Sequence, residues 1–216
     1  QERYNCPDCY VCSVLLRRYL ASERTGVPSH YDRNAFLTAV VSLNPHEFEG
    51  GLFLQRTPRP ASREYFAVGG RDVLFHSYDL NHGVQLLNGT RYSVVLWITD
   101  SRLSCERGLS PWYLRAAEAG SMHAQDALSE LYQMGQHGYE RDVDKAAYWG
   151  TKAAEQGQAS AQSRLGRLFL AGEGVPRDPA VGLRWVQQAA EQVRTAHRAP
   201  GPGPPLSTSP YGPPAR

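Results

Sequence analysis

"NHGVQLLNGTRYSVVLWIT", residues 81–99, decides how the first half of the chain is read. Two apolar runs flank Asn88-Gly89. That dipeptide accepts the positive φ angles of a type I′ turn, so the spacing predicts a two-residue β-hairpin. Leu87 then faces Thr90, Leu86 faces Arg91, Val84 faces Ser93 and His82 faces Val95. Side chains alternate along a strand, which puts His82, Val84, Leu86, Arg91, Ser93 and Val95 on one face. A histidine, an arginine and a serine thus project from an otherwise apolar surface. A guanidinium buried there is costly unless it meets an anion, and a carboxylate matches its planar fork.

Upstream, "HYDRNAFLTAV" (30–40) begins with His30 and Asp32, two residues apart and therefore on one face of a strand. Alone, such a pair is most simply a hydrogen-bonded surface pair. Joined by His82, it becomes two imidazoles and one carboxylate, the facial triad of a non-haem iron site with open positions. His76 is a rival third ligand, six residues before His82. His82 is preferred because it lies within the expected hairpin. Asp79 and His46 are read as loop caps. Asn88-Gly89-Thr90 also fits the glycosylation pattern N-x-[ST], but a tight turn accounts for it better.

Short runs of Val, Leu, Phe, Thr and Tyr, broken by Gly, Pro and Asn, continue through residues 1–103 and suggest a sandwich or barrel. From 110 to 194 the period becomes helical, and the sequence repeats. "WYLRAAEAG" (112–120), "YWGTKAAEQG" (148–157) and "RWVQQAAEQ" (184–192) align Trp112, Trp149 and Trp185 at spacings of 37 and 36 residues. The Ala pairs 116/117, 153/154 and 189/190 follow the same register. A period in the mid-thirties means stacked helix pairs, whose tryptophans and alanines are packing residues. Asp142 and Asp178 read as helix N-caps, the second followed by Pro179 at the first helical position. This pattern resembles the Sel1-like repeat, an α-solenoid related to tetratricopeptide repeats, which implies a protein-interaction surface. Residues 195–216 form a Pro/Gly-rich tail whose composition predicts disorder.

The segments "RRYLASERTGVPSHYD", "FLTAVVSLN", "EFEGG", "DVLFHSYDLNHGV" and "GTRYSVVLW", covering about 17 to 100, resemble the 2-oxoglutarate/Fe(II) dioxygenases of the prolyl 4-hydroxylase-like branch. The resemblance implies an α+β multi-domain protein, with a double-stranded β-helix (jelly roll) over 1–103 ahead of the Sel1-like α-solenoid at 110–194. It implies that His30, Asp32 and His82 hold Fe(II), and that Arg91, helped by Ser93, holds the distal carboxylate of 2-oxoglutarate in a pocket lined by Tyr19. The implied reaction consumes O2 and 2-oxoglutarate, releases succinate and CO2, hydroxylates a protein side chain such as peptidyl proline, and needs ascorbate to keep the iron reduced. Only 29 residues precede His30. The family has a longer scaffold there, so the expectation includes an N-terminally incomplete domain. The competing reading is a catalytically inactive oxygenase fold serving as a Sel1-repeat adaptor.

Composition narrows the partners. The 216 residues carry 23 basic and 21 acidic side chains, net +2, with Lys145 and Lys152 the only lysines. No basic stripe exists to track phosphates, which argues against nucleic acid. Apolar runs reach about half the ~20 residues of a membrane span. Because the sequence opens at Gln1 without a leader, endoplasmic reticulum and cytoplasm both stay open as compartments. Cys6, Cys9 and Cys12 cluster in "CPDCYVC", with Cys105 far downstream. Zinc would need a further ligand pair that the sequence lacks, leaving buried thiols or disulfides.

Overall fold

The computed structural model describes residues 6–23, 25–55, 63–66 and 72–198. Seven strands come first: β1 (Tyr10–Leu20), β2 (Gly26–His30), β3 (Leu37–Ser42), β4 (Phe48–Gln55), β5 (Arg63–Phe66), β6 (Val73–Ser77) and β7 (His82–Thr99). Six helices follow: α1 (Arg102–Arg107), α2 (Trp112–Glu118), α3 (Met122–Met134), α4 (Val143–Glu155), α5 (Ala159–Ala171) and α6 (Pro179–Arg198).

The expected hairpin at Asn88-Gly89 is absent. Residues 82–99 are a single 18-residue strand that runs through both segments of a curled antiparallel sheet. Its first half pairs with β2 and β4, its second half with β1 and β3, while β5 adds to β4 and β6 to β3. The predicted partners are replaced by His30 opposite His82, Tyr19 opposite Arg91 and Ser42 opposite Ser93. The positive φ anticipated for Asn-Gly does occur, at Gly89 (82°), but it serves a bulge and not a reversal. Glu49 pairs with Asn88 and Gly50 with Leu86, so Leu87 is the extra residue and turns outward, 60% exposed. A Cβ on Gly89 would stand 2.1 Å from the Glu47 carbonyl oxygen, a second reason for glycine there.

The bulge shifts the parity of β7. His82 and Leu86 face inward before it, and Arg91 and Ser93 face inward after it. Of the inward set expected from a hairpin, His82, Leu86, Arg91 and Ser93 are buried, through an extra residue within one strand, while Val84 and Val95 are only half-buried.

The helices pack as repeats. Asp142 accepts from the Lys145 N–H at 3.0 Å, and Asp178 from those of Ala180 and Val181, so both expected N-caps are present. Trp112 and Trp149 are buried among alanines and leucines, and Trp185 packs on the next cluster. Helix α6 continues to Arg198, four residues beyond the expected boundary at 194. The rest of the anticipated tail, 199–216, lies outside the described residues. Close approach of α5 and α6 depends on glycines: a Cβ on Gly182 would lie 2.7 Å from the Gly166 carbonyl oxygen. Gly182→Val should force these helices apart and lower stability by about 1–3 kcal/mol, measurable by urea denaturation.

The sheet and the repeats share contacts. Phe36 and Tyr78 pack on the cluster around Trp112, and the Tyr113 hydroxyl donates to the Arg33 carbonyl at 3.0 Å. Buried Arg164 on α5 grips Asp126 at 2.5 Å and Glu130 at 2.9 Å, both on α3, and Glu130 also pairs with Arg33 beside Asp32. Arg164→Leu strands Asp126, whose side chain is 5% exposed, and should cost about 3 kcal/mol in thermal or chemical unfolding. Disulfides join Cys6 to Cys9 and Cys12 to Cys105, choosing among the pairings that the sequence left open. Among the described residues no helix is long and apolar enough to cross a membrane.

Candidate metal centre

His30 ends β2, Asp32 lies two residues on, and His82 begins β7 directly opposite His30. Ladder pairing thus brings together side chains 52 residues apart. Their ligand atoms lie within 4.8 Å of one another. His30 Nε2 is 3.5 Å from Asp32 Oδ1, and His82 Nε2 is 3.4 Å from Asp32 Oδ2. Each imidazole turns its Nδ1 to a backbone carbonyl, His30 to Pro28 at 2.8 Å and His82 to Leu80 at 3.0 Å. A proton on Nδ1 leaves the Nε2 lone pair free toward the cluster, the arrangement that supports metal-ligating histidines. Thr38 donates to Asp32 Oδ2 at 2.5 Å and fixes the carboxylate.

The electrostatics suit a cation. Burial opposes the charge on Asp32, but contacts with His30, His82 and Thr38 outweigh it and hold the carboxyl well below its ordinary range. The Asp32 carboxylate in turn raises the pKa of His30, against the effect of burial. His76, the rival ligand, is also close: its Nε2 is 3.9 Å from Asp32 Oδ2 and its ring lies tilted by 46° against that of His82 with centroids 3.9 Å apart. Burial pushes His76 down to about 4, so it is neutral at pH 7.

Arg91 is 2% exposed, and among the described residues no carboxylate meets it. Its Nη1 donates to Ser93 Oγ at 3.0 Å, and the rings of Tyr19 and Phe48 each lie 5.7 Å from its guanidinium carbon. Burial lowers its pKa from the ordinary value. Tyr19, Arg91 and Ser93 are thus brought together. A buried guanidinium with donors to spare is chemically matched to an incoming carboxylate. Thr38 and Ser42 are additions that the sequence reading passed over. Ser42 faces Ser93 across the ladder, and its buried hydroxyl has no partner among the described residues. Period-two alternation in "FLTAVVSLN" marks both as polar positions on an inward face. Asp79 accepts from the Ser77 hydroxyl, the loop role expected of it.

Two imidazoles and a carboxylate with their supporting bonds fit a first-row divalent metal such as Fe(II), and the unpaired guanidinium fits an acid that chelates it. Beside this cluster, a cleft of about 200 Å³ opens between Tyr31, Arg33 and Tyr78 on one side and His123, Asp126 and Ser160 of the helices on the other. Tyr31 is the residue between His30 and Asp32, so the cleft adjoins the ligand loop.

The helical half is an α-solenoid of antiparallel helix pairs. The sequence model of the Sel1 repeat matches residues 112–121, 123–158 and 159–193, and the chain is therefore a Sel1-repeat protein over that span. No curated protein sequence matches. Among solved structures, c5321, a protective antigen of uropathogenic Escherichia coli with an SLR fold, is 38% identical over 38% of this chain and 17% of its own length (TM-score 0.36). A Sel1 repeat protein from Oxalobacter formigenes is 34% identical over 43% of this chain and 67% of that one (TM-score 0.38). An oxidoreductase of the 2OG-Fe(II) oxygenase family from Burkholderia pseudomallei is 18% identical over 43% of this chain and 46% of its own (TM-score 0.37).

Proposed function

We propose that the curled sheet, residues 1–103, is a jelly-roll oxygenase domain that binds Fe(II) and 2-oxoglutarate and hydroxylates a protein side chain, while the repeats at 110–194 recruit the protein that carries it. The observation that supports this reading most is the convergence of His30, Asp32 and His82, with the Nε2 atoms of both histidines within 3.5 Å of the Asp32 carboxylate. His30, Asp32 and His82 would hold the metal, which supplies O2 activation coupled to decarboxylation of the cosubstrate. Arg91 and Ser93 would bind the distal carboxylate of 2-oxoglutarate, with Tyr19 walling the pocket. The side chains around the cluster limit water, since Asp32, His82 and Arg91 are all nearly inaccessible. His30 is the open edge, with 44% of its side chain exposed, and a polypeptide substrate would approach there, beside the adjoining cleft. Peptidyl proline is the substrate class carried by the family resemblance, and ascorbate the expected reductant.

A second reading has its own support: the family match falls on the repeats alone. On that reading the sheet is an inactive oxygenase fold and the chain an adaptor that works through its Sel1 surface. The deciding measurement is succinate release from 2-oxoglutarate by the whole chain with Fe(II) and ascorbate. Iron-dependent succinate that disappears in Asp32→Ala supports the enzyme. No succinate from a chain that binds metal and retains its fold supports the adaptor.

A further inference from the structure

His76 is the one buried histidine of the sheet to which the reading above gives no task. It lies on β6 opposite Thr38 of β3, the residue that fixes Asp32, so its ring approaches the cluster from a strand that carries none of the other ligands. It is 1% exposed. Its Nδ1 faces the Ser77 carbonyl at 3.4 Å, while its Nε2 is buried without a hydrogen-bond partner among the described residues. Leaving such a nitrogen unpartnered costs on the order of 1–3 kcal/mol. That nitrogen points to the same carboxylate oxygen, Asp32 Oδ2, that His82 Nε2 approaches: 3.9 Å from His76 and 3.4 Å from His82. The first distance is too long for a hydrogen bond. Two imidazole nitrogens and a carboxylate oxygen converging at such spacings can share an ion at ligand distances of about 2 Å.

We propose that His76 is a reserve ligand: with no chelating acid bound, its Nε2 joins His30, Asp32 and His82 as a fourth protein ligand to the metal, and a bidentate 2-oxo acid displaces it. The displacement half rests on the dioxygenase reading. Four protein ligands plus two donors from the acid would fill an octahedral ion and leave no site for O2, so His76 must leave before O2 can bind. His76 then acts as a positioning residue that holds a fourth coordination position until cosubstrate arrives.

The test uses the whole chain loaded with Cu(II), whose electron paramagnetic resonance spectrum counts coordinated nitrogens. The parent should show three nitrogens and His76→Phe two, and Co(II) affinity should fall about tenfold or more in His76→Phe. His76→Asn guards against an effect of the larger ring, and circular dichroism checks that both variants fold. Saturating 2-oxoglutarate should reduce the parent to two nitrogens. Equal nitrogen counts and equal Co(II) affinity in parent and variants overturn the proposal, as does a third nitrogen that persists with 2-oxoglutarate bound. If calorimetry finds no 2-oxoglutarate binding to the metal-loaded chain, the dioxygenase reading fails, and the displacement half with it. The nitrogen count without the acid still decides the ligand half.

Discussion

Replacing His82 by alanine should weaken Co(II) or Fe(II) binding by at least about 100-fold in calorimetric titration, because it would remove one of the three proposed metal ligands and not merely a supporting contact. His82 has its Nε2 3.4 Å from Asp32 and its Nδ1 3.0 Å from the Leu80 carbonyl oxygen. Succinate release should vanish in the same variant. Arg91→Gln should behave differently. Metal affinity should stay close to that of the parent, while 2-oxoglutarate affinity should fall by about 10- to 100-fold as a charge-assisted pair is lost. A His82→Ala chain that keeps parental metal affinity would remove the cluster from consideration as a metal centre.

The second large effect concerns covalent topology. Cys12 occupies the position where the β1–β7 register slips between Val11 and Ser13, and the slip lets its side chain reach Cys105 on α1. The loop so closed spans 93 residues and includes His30, Asp32, His82 and Arg91. Chain-entropy arguments put the stabilisation from a loop of that length at about 4–5 kcal/mol. Cys12→Ser with Cys105→Ser should therefore lower the unfolding free energy by several kcal/mol in denaturant titration. The Cys6–Cys9 loop has a sequence separation of 3, and removing it should matter far less. Equal losses from the two pairs would refute this account.

Much of the site was legible because its signals are local or periodic. Alternation alone placed Arg91 with Ser93, while His30 and Asp32 meet although Asp32 lies beyond the end of β2. Self-similarity made the repeats plain down to the caps at Asp142 and Asp178. The misreading at Asn88-Gly89 has a physical cause. The dipeptide specifies a residue that tolerates positive φ, and both a turn and a bulge meet that condition. The choice depends on whether β4 and β1 are available to pair with the two halves of β7, and those contacts lie far away in sequence. The same reason hid the link from Arg33 to Glu130, residues separated by 97 positions. Four cysteines allow three connectivities, and spacing does not choose among them. Thr38 and Ser42 were within reach, since a hydroxyl on the inward face of an apolar strand is itself a signal.

Glu130 belongs to two ion pairs at once, with Arg164 inside the solenoid and with Arg33 next to Asp32. One carboxylate thus has a contact in each half of the molecule, and its two arginines answer to different surroundings. A protein that seats on α3 and α5 and redirects Glu130 would change the charge balance one residue from Asp32. If that protein and a metal in the proposed cluster are coupled in this way, thermodynamic reciprocity requires each to change the other's affinity by the same factor.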